Sequence, residues 1–328
     1  MIRRIVVSLL QYGLALFAAI VLNFALPRIA PGNPIDFLVP AELAGTLSPE
    51  QRDKVLSQFG LDQPIPVQFE RYLAGLARGD LAYSVRYGRP VSEILGERLP
   101  WTILLVGSSV ILAGLIGTLA GFWSAWRRGR RGDVAALSAM MVIESMPPFF
   151  VGMLLLLLFS VTLGWFPIYG ALPSVRVSGG ELVLEIARRL ALPLVTLTLA
   201  GMGSVYLVAR SALVSELRED YVRMAAAKGL TERGVRRHAQ RNALLPVLTV
   251  VLINLGALVG GATVVETVFS YPGLGRLIYE SVISRDYPVL QGTFLLLSVS
   301  VIGANLLADL AYTLLDPRVR RPAPITAG

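Results

Sequence analysis

Apolar residues in this chain come in long, nearly unbroken blocks. Residues 5–26, 101–126, 134–163, 190–209, 243–265 and 289–315 are almost free of charge. Each runs to roughly 20 residues or more, and a helix rising about 1.5 Å per residue then crosses a hydrocarbon core of roughly 30 Å. A helix satisfies its own backbone donors and acceptors, so it can lie in lipid where a loop cannot. The pattern predicts an all-α integral membrane protein of six transmembrane helices. It divides the chain into an N-terminus and first helix (1–26), a long polar segment (27–99), a membrane core (100–315) interrupted by a polar loop at 210–242, and a tail (316–328). The first block follows Arg3 and Arg4 and resembles a signal peptide, but its length and the lack of a small-x-small site before Pro27 favour a retained helix.

Composition supports this reading and removes several chemistries. The chain is 54% hydrophobic and only 16% charged, well outside the balance of soluble domains. It has no cysteine and a single histidine, His238, so disulfides, thiolate sites and histidine metal clusters are not expected. Lys54 and Lys228 are its only lysines, and neither follows a GxxxxG run; no P-loop exists to hold ATP. The chain is therefore expected to be no enzyme, with no catalytic residue, cofactor or metal of its own.

Charge sets the expected orientation. The loop 127–133 is Arg-Arg-Gly-Arg-Arg-Gly-Asp, the loop 210–242 carries seven arginines and Lys228, and the tail adds Arg318, Arg320 and Arg321. The alternate loops 164–189 and 266–288 are poorer in arginine. Short basic loops stay cytoplasmic, so both termini and 210–242 are placed inside and 27–99 outside. The net charge of +8 then calls for anionic lipid and not nucleic acid. The external segment carries Pro31-Gly32-Asn33-Pro34 and a helix start at Ser48-Pro49-Glu50, with Ser48 as N-cap.

Candidate pathway residues are the polar and helix-breaking positions inside the blocks. Pro147 and Pro148 interrupt the third block just after Glu144. Two prolines remove two backbone donors, and the freed carbonyls are tolerated only where protein or water covers them. Glu144 therefore either faces a solute path or reaches the interface beside a packing kink. Thr198 and Ser204 on the fourth block, with Asn254 and Gly260 on the fifth, are the best candidates for pathway walls. The pairs Gly117/Gly121 and Gly256/Gly260 have the spacing that lets helix backbones approach closely.

The loop 210–242 is long for a link between two spans and reads as helical throughout. Ala225-Ala226-Ala227 closes one helix, Gly229 is placed to cap it in a left-handed conformation, and Thr231 can N-cap a second short helix that ends at Leu245-Pro246, where the fifth span begins. Such a hairpin presents little side-chain bulk. It suits close contact with another protein as a short lever, or it lies on anionic lipid.

These residues resemble the cytoplasmic loop of ABC-type importer permeases, the EAA loop, in the form found in the dipeptide/oligopeptide/nickel branch. The stretch Asp220-Tyr221-Val222-Arg223-Met224-Ala225-Ala226-Ala227-Lys228-Gly229, followed by Arg237-His238 and Arg241-Asn242-Ala243-Leu244-Leu245-Pro246, carries the likeness. So do Gly79-Asp80-Leu81 with Ser84, Arg98-Leu99-Pro100 with Thr102, Pro272-Gly273-Leu274-Gly275, Arg285-Asp286-Tyr287-Pro288 and Leu315-Asp316-Pro317-Arg318. Arg223 stands where the general motif has Glu, as is usual in this branch, and Ala82 stands where the branch commonly has Gly. The resemblance implies a permease in the bacterial inner membrane that shares its path with a second, homologous permease. It also implies two cytoplasmic ATPase subunits that bind the ATP, each receiving one such loop, and an external solute-binding protein. Tyr221, Arg223, Ala225, Ala226, Ala227, Lys228, Gly229, Arg237, His238, Asn242 and Pro246 would form the ATPase-coupling loop. Peptides are the expected solute, with nickel chelates, glutathione or sugars as alternatives for the same machinery. A self-sufficient proton-coupled carrier using Glu144, Glu266 or Asp309 is the reading of a different class.

Overall fold

The structure is a computed structural model. It describes residues 2–29, 48–58, 62–84, 86–173 and 177–315, without the side chains of 2–9, 52, 55–56, 58, 256–261 and 307–315. Its elements in chain order are helix α1 (Ile2–Ile29), α2 (Pro49–Gln58), α3 (Ile65–Ala77), a hairpin of strands β1 (Tyr83–Ser84) and β2 (Arg89–Pro90), α4 (Val91–Trp126), α5 (Arg131–Ser145), α6 (Pro148–Leu155) running into a π-helix (Leu156–Thr162), α7 (Gly180–Glu216), α8 (Asp220–Ala227), α9 (Glu232–Val268), α10 (Leu274–Ile283) and α11 (Tyr287–Leu315).

Among the described residues four helical stretches are long and apolar enough to cross a membrane: Leu10–Ile29, Val91–Trp126, Gly180–Glu216 and Tyr287–Leu306. A fifth arises if α5 and the α6–π pair, bent by 99° at their junction, count as one broken span. Helix α9 holds the remaining apolar block, and part of its side chains lie outside the described residues.

Several helices overrun the predicted blocks. Helix α4 begins at Val91, inside the segment expected to be external, and passes through Pro100. Helix α9 is one helix from Glu232 to Val268 with Pro246 inside it, where a short helix, a break and a new span were expected. An interior proline costs about 3 kcal/mol. Buried Ala239, Ala243 and Val247 belong to one cluster with Val205, Ala209 and Leu213 of α7, and this packing offsets the lost hydrogen bond. The stretch 211–242 is not helical throughout either, because Leu217-Arg218-Glu219 forms a turn between α7 and α8.

The chain divides into two compact units. One comprises residues 1–102 and 272–302. Its core is Val91, Ile94 and Leu95 of α4 with Leu274 and Leu277 of α10 and Val289 of α11. Ser48 accepts from the Gln51 N–H at 3.3 Å while its own N–H donates to Gln51 Oε1 at 2.8 Å, a reciprocal cap that starts α2 as predicted. Asn23 of α1 and Gln291 of α11 exchange side-chain-to-backbone bonds of 2.7 and 2.9 Å. Ser84 of β1 donates to Asp286 at 2.5 Å, and the Leu274 N–H donates to Thr102 Oγ1 at 2.8 Å.

The second unit comprises 103–271 and 303–328. Here α4 and α7 meet backbone to backbone. A Cβ on Gly117 would stand 2.9 Å from the Met202 carbonyl, and one on Gly121 2.7 Å from that of Tyr206. The predicted Gly117/Gly121 pair thus makes a close helix contact. Gly152 of α6 lies against Thr196 of α7 and Phe269, which holds the bent segment on the same helix.

Candidate functional site

The hairpin that follows α7 is set by two local signals, and both act as the sequence predicts. Gly229 has φ +80°, which any residue with a Cβ adopts at a cost. Around it the Gly229 N–H donates to the Ala226 carbonyl at 3.0 Å and the Leu230 N–H to the Ala225 carbonyl at 3.3 Å. This double closure satisfies the orphan carbonyls of α8. Two residues on, Thr231 Oγ1 accepts from the Gly234 N–H at 3.3 Å and opens α9. The hairpin proper is therefore residues 217–231, shorter than the predicted loop 210–242, because α7 runs to Glu216 and α9 starts at Glu232.

Two side chains tie α8 down. Val222 is buried in the cluster formed by α7, α9 and α4. The Tyr221 hydroxyl donates to the Glu216 carboxylate and interacts with Asn242 of α9. Burial, with Glu216 adding to it, pushes the Tyr221 hydroxyl up to about 12. The remaining predicted coupling residues face outward. Arg223, Ala226, Ala227, Lys228 and Gly229 are exposed, as are Arg237, His238 and Pro246 on α9, and Ala225 is half-buried. Met224 and Leu230 beside them are exposed apolar side chains. Arg236 lies over the Trp126 ring at 4.4 Å and pairs with Glu232. The hairpin thus offers alanine, glycine, basic side chains and the apolar Met224 and Leu230 on a helix fixed at its root.

That root holds a cluster the sequence reading missed. Asp133 and Arg210, both counted there as loop charges, form a bidentate ion pair of 2.7 and 2.8 Å. Asp133 is only 2% exposed. It also accepts from Ser124 Oγ and, at 2.9 Å, from the Gly129 N–H, and Ser124 shares a 2.6 Å bond with the Tyr206 hydroxyl. The cluster joins the end of α4, the α4–α5 turn and α7 just before α7 enters the hairpin. Its one sequence signal is a lone acid in the run Arg127-Arg128-Gly129-Arg130-Arg131-Gly132-Asp133.

Of the pathway candidates, two come together, and a third lies beside the neighbouring residue of α7. Ser204 of α7 accepts from Asn254 Nδ2 of α9 at 3.1 Å. The exposed Glu144 of α5 lies across the backbone of Gly203, so closely that a Cβ there would clash with its carboxylate. Pro147 and Pro148 are exposed at the 99° bend, so the prolines do interrupt the third block. Thr198 is buried one and a half turns away on α7, and its hydroxyl meets no partner among the described residues. Gly260 lies within α9, and its surroundings fall outside the described residues. Glu266 is fully buried near the end of α9; the side chain of Asp309 is outside the described residues.

Comparison with known proteins gives this geometry a context. Residues 117–321 match the family model described as "Binding-protein-dependent transport system inner membrane component". The chain is 36% identical over 320 residues to the di/tripeptide transport system permease protein DppB of Pseudomonas aeruginosa, covering 93% of this chain and 94% of that one. It is 37% identical to a peptide permease protein of Brucella ovis, over 95% and 97% of the two chains. Among solved structures, a chain of the methionine transporter MetNI in an inward-facing conformation aligns with 69% of this chain and 97% of its own length, with a TM-score of 0.55 at 18% identity. That likeness is one of fold.

Proposed function

The chain belongs to the family of binding-protein-dependent transport system inner membrane components, and on that premise we propose that it is the permease subunit of an ATP-driven ABC importer of di- and oligopeptides. Relatives named as peptide permeases match along nearly its whole length, and this supports the solute class. In this reading the chain has six spans with both termini and the hairpin in the cytoplasm, where the arginine-rich segments lie. A second, homologous permease completes the solute path. An external binding protein delivers peptide, and two ATPase subunits each receive one hairpin of this kind.

The observation that carries the coupling role is the hairpin itself. Its helix α8 is locked at one end by Tyr221 and Val222 and closed at the other by Gly229, while its outer surface stays small and basic. A lever must be stiff toward its own chain and open toward its partner. Movement of an ATPase seated on that surface would pass along α8 to its root and to α7 and α9. Those two helices carry Ser204 and Asn254, which we assign with Glu144 to the solute path. Peptide translocation is a passage and not a reaction, so the chain need only present hydrogen-bonding groups and a movable wall.

The test replaces Gly229 with Val in the complex reconstituted with its ATPases and binding protein. The expected result is a complex that assembles and hydrolyses ATP while peptide uptake falls by at least tenfold. Full uptake with this variant would remove the coupling role. Uptake driven by a pH gradient alone, without ATPase, would favour the carrier reading that uses Glu144, Glu266 or Asp309.

A further inference from the structure

Between α4 and α9 runs a groove of about 1020 Å³. Its floor is formed by Gly114 and Thr118 of α4 and by Val247 and Val251 of α9, and exposed Leu115 and Leu119 stand along it. One end is different in kind. There Trp123 and Trp126 meet Arg127, Arg130 and Arg236. Arg127 lies over the Trp123 ring at 4.6 Å and Arg236 over the Trp126 ring at 4.4 Å.

The charges at this end do not balance. Its one acid, Glu232, is taken by Arg236 at 2.5 Å. Among the described residues Arg127 and Arg130 meet no carboxylate. Two further donors, Trp126 Nε1–H and Arg236 Nε–H, are buried with no acceptor among the described residues. This end is rich in donors and positive charge and short of acceptor oxygens. From Val110 to Trp126 the groove follows α4 for about 24 Å at 1.5 Å per residue, and one leaflet with its headgroups is roughly 20–22 Å deep.

We propose that this groove holds one phospholipid with an anionic headgroup, its acyl chain along the Gly114–Val251 floor and its phosphate at Arg127, Arg130 and the two tryptophans. Tryptophan suits that depth because its ring is apolar and its N–H polar. A protein helix is the other candidate occupant. Membrane helices carry their excess lysine and arginine on the cytoplasmic side, as this chain's own Arg3 and Arg4 do. Such a helix end would set cations against Arg127 and Arg130, which electrostatic complementarity disfavours. An anionic lipid supplies the missing acceptors and charge together.

Native mass spectrometry of the full chain in detergent, titrated with phosphatidylglycerol or phosphatidylcholine, tests this. One phosphatidylglycerol is expected to bind in clear preference to phosphatidylcholine. Arg127→Gln with Arg130→Gln is expected to weaken it by roughly fivefold per arginine, about 25-fold together. Arg218→Gln with Arg223→Gln removes the same charge at the hairpin and is expected to leave binding unchanged; equal losses in the two double variants would overturn the site. Leu248→Trp fills the groove with all arginines intact and is expected to abolish retention, which separates loss of the site from misfolding. Because the chain has no cysteine, Leu115→Cys carries a photocrosslinker without background. In membranes it is expected to capture lipid, and capture of a protein segment would overturn the proposal.

Discussion

The hairpin 217–231 with its root, and the β1–β2 segment with its neighbours in the first unit, carry equally dense sequence motifs but spend them in opposite ways. Around β1–β2 the motif side chains are consumed internally. Ser84 and Asp286 are bonded to each other and buried, and Thr102 is buried beneath the Leu274 N–H. In the hairpin Leu217, Tyr221 and Val222 turn inward, and Arg223, Ala226, Ala227 and Lys228 face out. Groups bonded within the chain stabilise it and are unavailable to others. Groups left outward contribute little to folding and are free for a partner. The hairpin thus keeps its stabilising contacts at its root and leaves outward the side chains proposed to meet a partner.

Removing single side chains in order of expected cost tests that division. The largest loss should come at the root. Asp133→Ala strands Arg210 beside Ser124 and Tyr206, and thermal unfolding of the chain in detergent should show about 3 kcal/mol of destabilisation, the lower end for breaking a buried pair because Arg210 keeps some water. An unchanged melting temperature would mean that the root is not what holds the hairpin. Asp286→Ala should cost about 2 kcal/mol by leaving the Ser84 hydroxyl and the Val289 N–H without their acceptor, with denaturant titration as the readout.

Tyr221→Phe should cost about 1 kcal/mol. Its pH behaviour follows from the raised pKa. The stabilisation is fully present below the ordinary tyrosine value near 10 and is lost only as pH rises through about 12. The difference between wild type and variant should therefore be flat from about pH 6 to 9, and a slope in that window would show that another group is involved. Ala82→Gly should stabilise slightly, by about 0.5–1 kcal/mol, since Ala82 sits at φ +67° in a conformation that suits glycine. The positive φ of Ala82 is a local strain that the structure makes visible.

The smallest effect on stability should be the most informative. Arg223 is exposed and its contact with Asp220 is a long surface pair of 3.7 Å, so Arg223→Glu should shift stability by no more than about 0.5 kcal/mol. Uptake by the reconstituted complex should nevertheless fall severalfold, because in the proposed coupling role the charge offered to the ATPase is reversed. Loss of stability together with uptake would erase the contrast between tip and root.

What the sequence determined by itself was everything set by short-range physics. Apolar block length marked four spans, five with the bent pair, Gly229 and Thr231 marked the turn of the hairpin, Ser48 marked the start of α2, and Pro147-Pro148 marked the break. Each is a preference of one residue and its near neighbours, readable without knowing where the chain goes next. Tertiary structure decided what depends on distant partners. Asp133 meets Arg210 across 77 residues and Ser84 meets Asp286 across 202, and a charge shows no sign in sequence of whether it will be solvated or buried. The same cause carried α9 straight through Pro246. The local penalty of the proline is legible in the sequence, whereas the packing of Ala239, Ala243 and Val247 that overcomes it exists only once α7 is in place.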